Sequence, residues 1–175
     1  MSQELIKKAQ ELKNSGFTTG EMADELNVSL DTALWLSLQK IGEDKIKDAP
    51  LDFAISWNNM GGDSTRLRYT SSALAEMIPD YEESEVVLGI AISGIPFATI
   101  ISNYLYENYD VKTSLAVFHP IKEENKSKEG RRGTLSKNFA SVKGKKVVIV
   151  DDLATSGRTL KDAISVVKSK GGTPI

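Results

Sequence analysis

Residues 147–159 read Val-Val-Ile-Val-Asp-Asp-Leu-Ala-Thr-Ser-Gly-Arg-Thr, and their reading decides the fold. Four apolar, mostly β-branched residues predict a buried strand. Asp151 and Asp152 follow at its C-terminal end, then a loop of small residues and hydroxyls. From Thr159 the apolar spacing turns helical, through Leu160, Ala163, Ile164 and Val167. Strand, acidic pair, hydroxyl-rich loop and helix together suit a phosphorylated sugar. Loop N–H groups and a helix N-terminus favour a phosphate. Thr155, Ser156 and Thr159 add hydroxyl donors, and Asp151 and Asp152 are acceptors matched to the two hydroxyls of a ribose. The alternative, a plain strand-to-helix turn with solvated aspartates, requires the whole ordered pattern to be accidental.

Outward from this stretch, strands and helices alternate from residue 51. Asp52 to Trp57 is a short strand and Tyr69 to Met77 a helix, preceded by Arg66 and Arg68. Val86 to Ile92 is a buried strand. It leads through Ser93-Gly94-Ile95-Pro96 into a helix reaching about Tyr106, with Pro96 suited to the first turn. Ser114 to Phe118 is the next strand, a long polar loop spans about Pro120 to Leu135, and Lys145 to Val150 is the strand of the acidic pair. Gly-Gly-Thr-Pro-Ile, residues 171–175, reads as the start of another strand. Such alternation predicts a parallel sheet with helices on both faces, and ligands then sit at the C-terminal strand ends. Ser93-Gly94 and Asp151-Asp152 both fall there, on strands that can be neighbours.

The N-terminal region is different. Helical spacing of Leu5, Ile6, Ala9 and Leu12 predicts a helix from about Gln3 to Asn14, ended by Gly16. Thr19 caps a short helix carrying Met22, Ala23 and Leu26; Asn27 makes a tight turn; Val28 plugs the angle between helices; Ser29 caps the next helix, whose Ala33 and Leu36 return to the core. Glu21 to Leu36 resembles a DNA-binding helix-turn-helix. Residues 1–42 are therefore read as a helix-turn-helix domain and 51–175 as the α/β domain. The charged stretch 41–50, punctuated by Gly42 and Pro50, reads as linker. DNA contact would fall to Thr19, Ser29, Leu30, Asp31, Thr32 and Trp35. Charge argues the other way. Residues 1–40 hold four lysines against six carboxylates, whereas phosphate neutralisation supplies most non-specific affinity. Leu30, Leu34, Trp35 and Leu38 also make a second apolar stripe, so a helix-turn-helix used for packing or dimerisation stays open.

The bulk numbers bound the rest. The 175 residues accommodate one medium α/β domain and something small. A formal net charge of −2 advertises no global basic field. With no cysteine and one histidine there is no disulfide framework, no Cys-ligated metal and no basis for a His-rich metal site or a Ser-His-Asp triad. No apolar run reaches membrane-spanning length and the N-terminus lacks a signal-peptide core, so a cytoplasmic protein without membrane partners is expected.

The acidic-pair stretch resembles the phosphoribosyl-pyrophosphate (PRPP) signature of type I phosphoribosyltransferases. The resemblance implies that Asp151 and Asp152 hold the ribose 2- and 3-hydroxyls and that the loop continuing through Leu153, Ala154, Thr155, Ser156, Gly157, Arg158 and Thr159 completes the PRPP site, with 155–159 cradling the 5-phosphate. Val87 to Ala98 resembles the pyrophosphate loop of that family, which implies pyrophosphate contacts at Ser93, Gly94 and Lys122 and a cis non-proline peptide next to Ser93. Many enzymes of the family carry a basic residue where this chain has Ser93. The loop 121–133 holds the position of the catalytic flap. Against the orotate phosphoribosyltransferase pattern Arg-Lys-Glu-x-Lys-x-His-Gly, the chain keeps Lys122 and Glu123 but has Ile121, Asn125 and Ser127 for the arginine, lysine and histidine. Lys126, Lys128, Arg131 and Arg132 could still attract a polyphosphate, or the loop is simply solvated.

As a whole, the chain resembles the archaeal orotate-phosphoribosyltransferase-like transcriptional regulators of glucose–fructose catabolism. The carrying residues are Glu21–Leu36, Asp63–Tyr69, Ile92–Pro96, Phe118–Lys122, Gly133–Ala140 and the signature loop. The implied fold is a helix-turn-helix followed by a type I phosphoribosyltransferase-like parallel-sheet domain. The implied protein is a homodimer or higher oligomer that binds an inverted repeat in double-stranded DNA and senses PRPP or a related phosphorylated metabolite. No catalytic residues, no metal site and no required cofactor are expected, with magnesium accompanying PRPP at most. A working phosphoribosyltransferase for orotate or a purine base is the alternative.

Overall fold

The computed structural model describes residues 3–39, 58–121, 133–154 and 157–175. The chain divides into two units, Met1–Asn59 and Met60–Ile175. The strand expected over 52–57 and the stretch 41–50 lie outside the described residues.

In the first unit, α1 spans Gln3–Asn14, α2 Thr19–Leu26 and α3 Leu30–Leu38. The cap of α2 is Thr18, one residue before the expected Thr19. The reason is the reciprocal box with Glu21: Glu21 N donates to Thr18 Oγ1 at 3.3 Å, and Thr18 N donates to Glu21 Oε2 at 2.8 Å. Asn27 takes the left-handed conformation, φ +50°, that turns the chain between α2 and α3. Ser29 caps α3 by accepting from Thr32 N. Val28 packs against both small clusters of this unit, one formed by Ile6, Ala9, Leu26 and Leu36, the other by Met22, Ala23 and Ala33. The second stripe of α3 splits. Leu30 and Trp35 pack against these clusters, while Leu34 and Leu38 stay 47% and 65% exposed.

The short helix α4 covers Asn58–Gly61, across the division between the units, and in the second unit α5 covers Ser64–Glu76. The latter begins five residues before the expected Tyr69. Asp63 supplies a cap that apolar spacing alone does not register, accepting from Thr65 N at 2.9 Å and Arg66 N at 3.1 Å. Then come β1 (Val86–Ile90), α6 (Gly94–Tyr109), β2 (Ser114–Pro120), β3 (Gly133–Leu135), β4 (Lys146–Val150), α7 (Arg158–Ser169) and β5 (Thr173–Pro174). The sheet order is β3-β2-β1-β4-β5, parallel except for β3, which runs antiparallel to β2 inside the stretch read as loop. Alternation along the strands sorts the two faces. Val86, Leu88, Ile90, Ala116, Phe118 and Val147 form one core with Ala163 and Val167 of α7. Gly89 points the other way, where a Cβ would lie 2.9 Å from Gly94 O and 3.1 Å from Ala98 Cβ of α6. Both faces of the sheet are therefore covered by helices.

One carboxylate ties α5 to α6. Glu76 Oε1 accepts hydrogen bonds from the phenols of Tyr104 and Tyr109, both at 2.5 Å. The bonds hold the Glu76 carboxyl below its usual range. The bond to Glu76, then desolvation and the carboxylate charge, push Tyr109 up to about 12. The fold thus favours a neutral Tyr109. That contribution is complete below pH 10.0, the ordinary phenol value, and is lost as pH rises through about 12. Tyrosinate absorbance should show late titration among the chain's five tyrosines. In Glu76→Ala the late component should return towards 10.0. An unchanged titration curve would show that Glu76 does not hold the phenols in solution.

Candidate functional site

Parallel pairing of β1 with β4 aligns their C-terminal ends, with Gly89 opposite Val150. The two turns leaving these strands consequently touch. A Cβ on Gly94 would lie 2.6 Å from Val150 O and 3.2 Å from Asp151 Cα, so backbone meets backbone and no side chain fits between. Ser93 is exposed and Gly94 buried at this junction. The cis peptide joins Ala91 to Ile92, one bond earlier than the position adjoining Ser93.

Asp151 and Asp152 leave β4 half-buried, and Asp152 N donates to Asp151 Oδ1 at 3.0 Å, which tightens the turn. Leu153 is half-buried and Ala154 exposed; Thr155 and Ser156 lie outside the described residues. Gly157, at φ +69°, is the N-cap of α7, and Arg158 and Thr159 open the helix. Side-chain caps close α2, α3 and α5 at Thr18, Ser29 and Asp63. Among the described residues neither α6 nor α7 has one at its N-cap, Ser93 or Gly157, and both helices start at the mouth of the sheet. Beside the acidic pair a cavity of about 280 Å³ is lined by Leu74, Ile78, Ile101, Val148 and Leu160, together with Asp151 and Asp152. Its walls are mostly apolar, a common property of ligand pockets. Among the described residues no group of three or more His, Asp or Glu side chains is placed to hold a metal ion. Lys122 lies outside the described residues.

The sequence-predicted DNA residues do not share one surface. Asp31 and Ser29 are exposed, and Ser29 already serves as the cap of α3. Thr19, Leu30 and Trp35 are half-buried. Thr32 is fully buried, its hydroxyl accepting from Ser29 Oγ, which withdraws it from any surface contact. The outer face of α3 consists of Asp31, Leu34 and Leu38. Leu34 and Leu38 were legible as a stripe, but apolar spacing alone does not say which of two stripes faces out.

Residues 68–175 match the phosphoribosyl transferase domain family. The chain is 59% identical over its full length to a protein named transcriptional regulator GfcR from Methanobrevibacter smithii, covering 86% of it. It is 49% identical to one of the same name from Methanosphaera stadtmanae, covering 100% of this chain and 85% of that protein. The chain belongs to the GfcR family of transcriptional regulators. The fold of its second unit agrees with a solved Mycobacterium tuberculosis orotate phosphoribosyltransferase in complex with PRPP, at TM-score 0.51 and 19% identity over 69% of this chain and 63% of that one. In this GfcR-family chain the acidic-pair turn and the turn of Ser93-Gly94 thus belong to a phosphoribosyl transferase domain, and α1–α3 lie ahead of it. Among the described residues no helix is long and apolar enough to cross a membrane.

Proposed function

We propose that this chain is a DNA-binding regulator whose phosphoribosyltransferase-like domain binds PRPP or a related phosphorylated metabolite as a signal and does not turn it over. The observation that carries the reading is the backbone contact between Gly94 and the Val150-Asp151 turn, which sets the acidic pair beside the start of α6. The ribose hydroxyls then fall to Asp151 and Asp152, and the 5-phosphate to the loop through Thr159 and the start of α7, which begins at Arg158. Magnesium is an accompaniment of the ligand at most. DNA contact by the first unit rests on the family name and on the order α2, turn, α3.

Saturating PRPP or ribose 5-phosphate should raise the melting temperature of the full chain. At a hundredfold excess over Kd the stabilisation is about 2.7 kcal/mol. The combined substitutions Asp152→Ala and Thr155→Ala should abolish the rise and leave the ligand-free fold intact. A wild-type melting temperature indifferent to both compounds, with and without magnesium, would refute the ligand assignment.

Catalysis should be negligible. Ile121, Asn125 and Ser127 stand where the flap pattern has arginine, lysine and histidine. Charge building on departing pyrophosphate therefore goes largely unopposed, and that electrostatic contribution is commonly the largest in catalysis. Pyrophosphate release with orotate or a purine base should stay far below an ordinary rate of roughly 1 per second. Turnover at that rate would make the chain an enzyme.

A further inference from the structure

The mouth of the sheet carries the acidic pair, and the opposite end carries lysines. There β4 and β5 begin and α7 ends. Residues 141–146 and 168–173 make the turns at that end, and together they hold five lysines and no carboxylate. The two turns are distant in sequence, and backbone hydrogen bonds join them. Gly144 N donates to Gly171 O at 2.8 Å, and Thr173 N donates to Lys145 O at 2.8 Å. A Cβ on Gly171 would lie 3.6 Å from Lys143 Cγ, so the stem of Lys143 reaches the second turn.

The five lysines divide. Lys145 pairs with Glu85 at 2.7 Å and Lys146 pairs with Glu83, both acids standing just before β1. Lys143, Lys168 and Lys170 are exposed. Lys168, in the last turn of α7, and Lys170, its C-cap, complement the negative end of that helix. Lys143 stands on the other turn, so the helix dipole does not account for the group. Gly144 N, Gly171 N, Gly172 N and Thr173 N are all bonded within the fold, so the surface is offered by side-chain ammonium groups. A lysine ammonium is a point charge that meets a phosphate without reading sequence. Duplex DNA is the polyanion that matches. Phosphate neutralisation supplies most non-specific affinity, and residues 1–40 bring six carboxylates against four lysines. Lysines at this end of the sheet also leave the acidic pair, at the other end, clear for a sugar phosphate.

We propose that Lys143, Lys168 and Lys170 meet the phosphate backbone of bound DNA, so that the second unit adds charge-driven, sequence-independent affinity. This rests on the DNA-binding function proposed for the chain. The test is fluorescence-anisotropy titration of the full chain over a range of salt, with a fragment recovered by selection and with a random duplex. Wild type is compared with the combined Lys143→Gln, Lys168→Gln, Lys170→Gln chain. That chain should melt as wild type does and bind both duplexes about tenfold or more weakly at low salt. Each lysine on a phosphate adds about 0.9 to the slope of log affinity against log salt, so the slope should become shallower by about 2.7 per chain. Lys112→Gln, just before β2 and two strands from β4, is the control and should leave affinity and slope nearly unaltered. Wild-type affinity and slope in the triple variant would overturn the proposal and leave DNA binding standing. Loss of binding to phosphatidylserine vesicles in that variant, with DNA affinity unaltered, would assign the lysines to a membrane surface instead. A loss confined to the selected fragment would overturn the backbone role. A loss as large in Lys112→Gln would overturn the place assigned to the contact. A wild-type chain that binds neither duplex at low salt would remove the proposal and the DNA-binding function together.

Discussion

Gly94→Ala should destabilise the second unit by about 1–3 kcal/mol, the usual range for forcing a methyl group into a packed site, and should cost ligand binding as well. The added Cβ would sit 2.6 Å from Val150 O and 3.2 Å from Asp151 Cα. Both are backbone atoms of the strand that carries the acidic pair, so no side-chain rotation relieves the contact. Either α6 backs away from β4 or the Val150-Asp151 turn shifts. Each displaces the groups assigned to the ribose, and misplacement of about 1 Å is enough to lose most of a geometry-dependent interaction. Gly61→Ala is the matched control, because a Cβ there meets nothing within 4 Å. Differential scanning calorimetry with and without ribose 5-phosphate should show a melting temperature lowered by roughly 5–10 °C for Gly94→Ala, with the ligand-induced rise much reduced. Gly61→Ala should be within about 0.5 kcal/mol of wild type. A Gly94→Ala chain with wild-type stability and ligand response would mean that the two turns do not meet as described.

The second large effect is expected on DNA. Residues 1–40 carry four lysines and six carboxylates, and the outer face of α3 offers one carboxylate and two leucines. Such a unit neutralises few phosphates and should bind a single half-site weakly. Two units held by a two-fold axis would engage half-sites about one helical turn apart. Effective concentration can then raise affinity by roughly 10²–10⁴ without any new contact. Light scattering should report at least a dimer, and a full inverted repeat should be bound that much more tightly than its half. The slope of affinity against salt should be shallow for so acidic a unit. A monomer that binds half-site and palindrome equally would end this view.

Much of this was legible in the sequence because the informative patterns are local. The strand before Asp151 is a run of β-branched residues, and Asn27, Ser29 and Gly16 punctuate the first unit where turn and cap chemistry require. The misses have physical causes. The cap of α2 moved to Thr18 because the Thr-x-x-Glu box outweighs the adjacent threonine. The start of α5 moved to Ser64 because one aspartate side chain satisfies two amides. Strand β3 hides in a polar loop, since three residues on a sheet edge need no apolar run, and its pairing with Phe118–Pro120 is long-range. Thr32 was a reasonable surface residue by composition, yet Ser29 caps the helix so that its hydroxyl turns inward. At the site, spacing gave the acidic pair and Gly94 separately. Only the β1–β4 register brings them into contact.

On the proposed function, a ligand held at Asp151 and Asp152 should change how the first unit binds DNA. DNA fragments recovered by unbiased selection with the full chain supply the probe, and their affinity is measured with and without saturating ribose 5-phosphate or PRPP. Coupling between two sites is typically about 5–150-fold and is reciprocal. The account predicts a ligand-induced change in DNA affinity of that order, an equal change in ligand affinity caused by DNA, and loss of both in the Asp152→Ala, Thr155→Ala chain. Identical DNA affinity with and without bound ligand would contradict it.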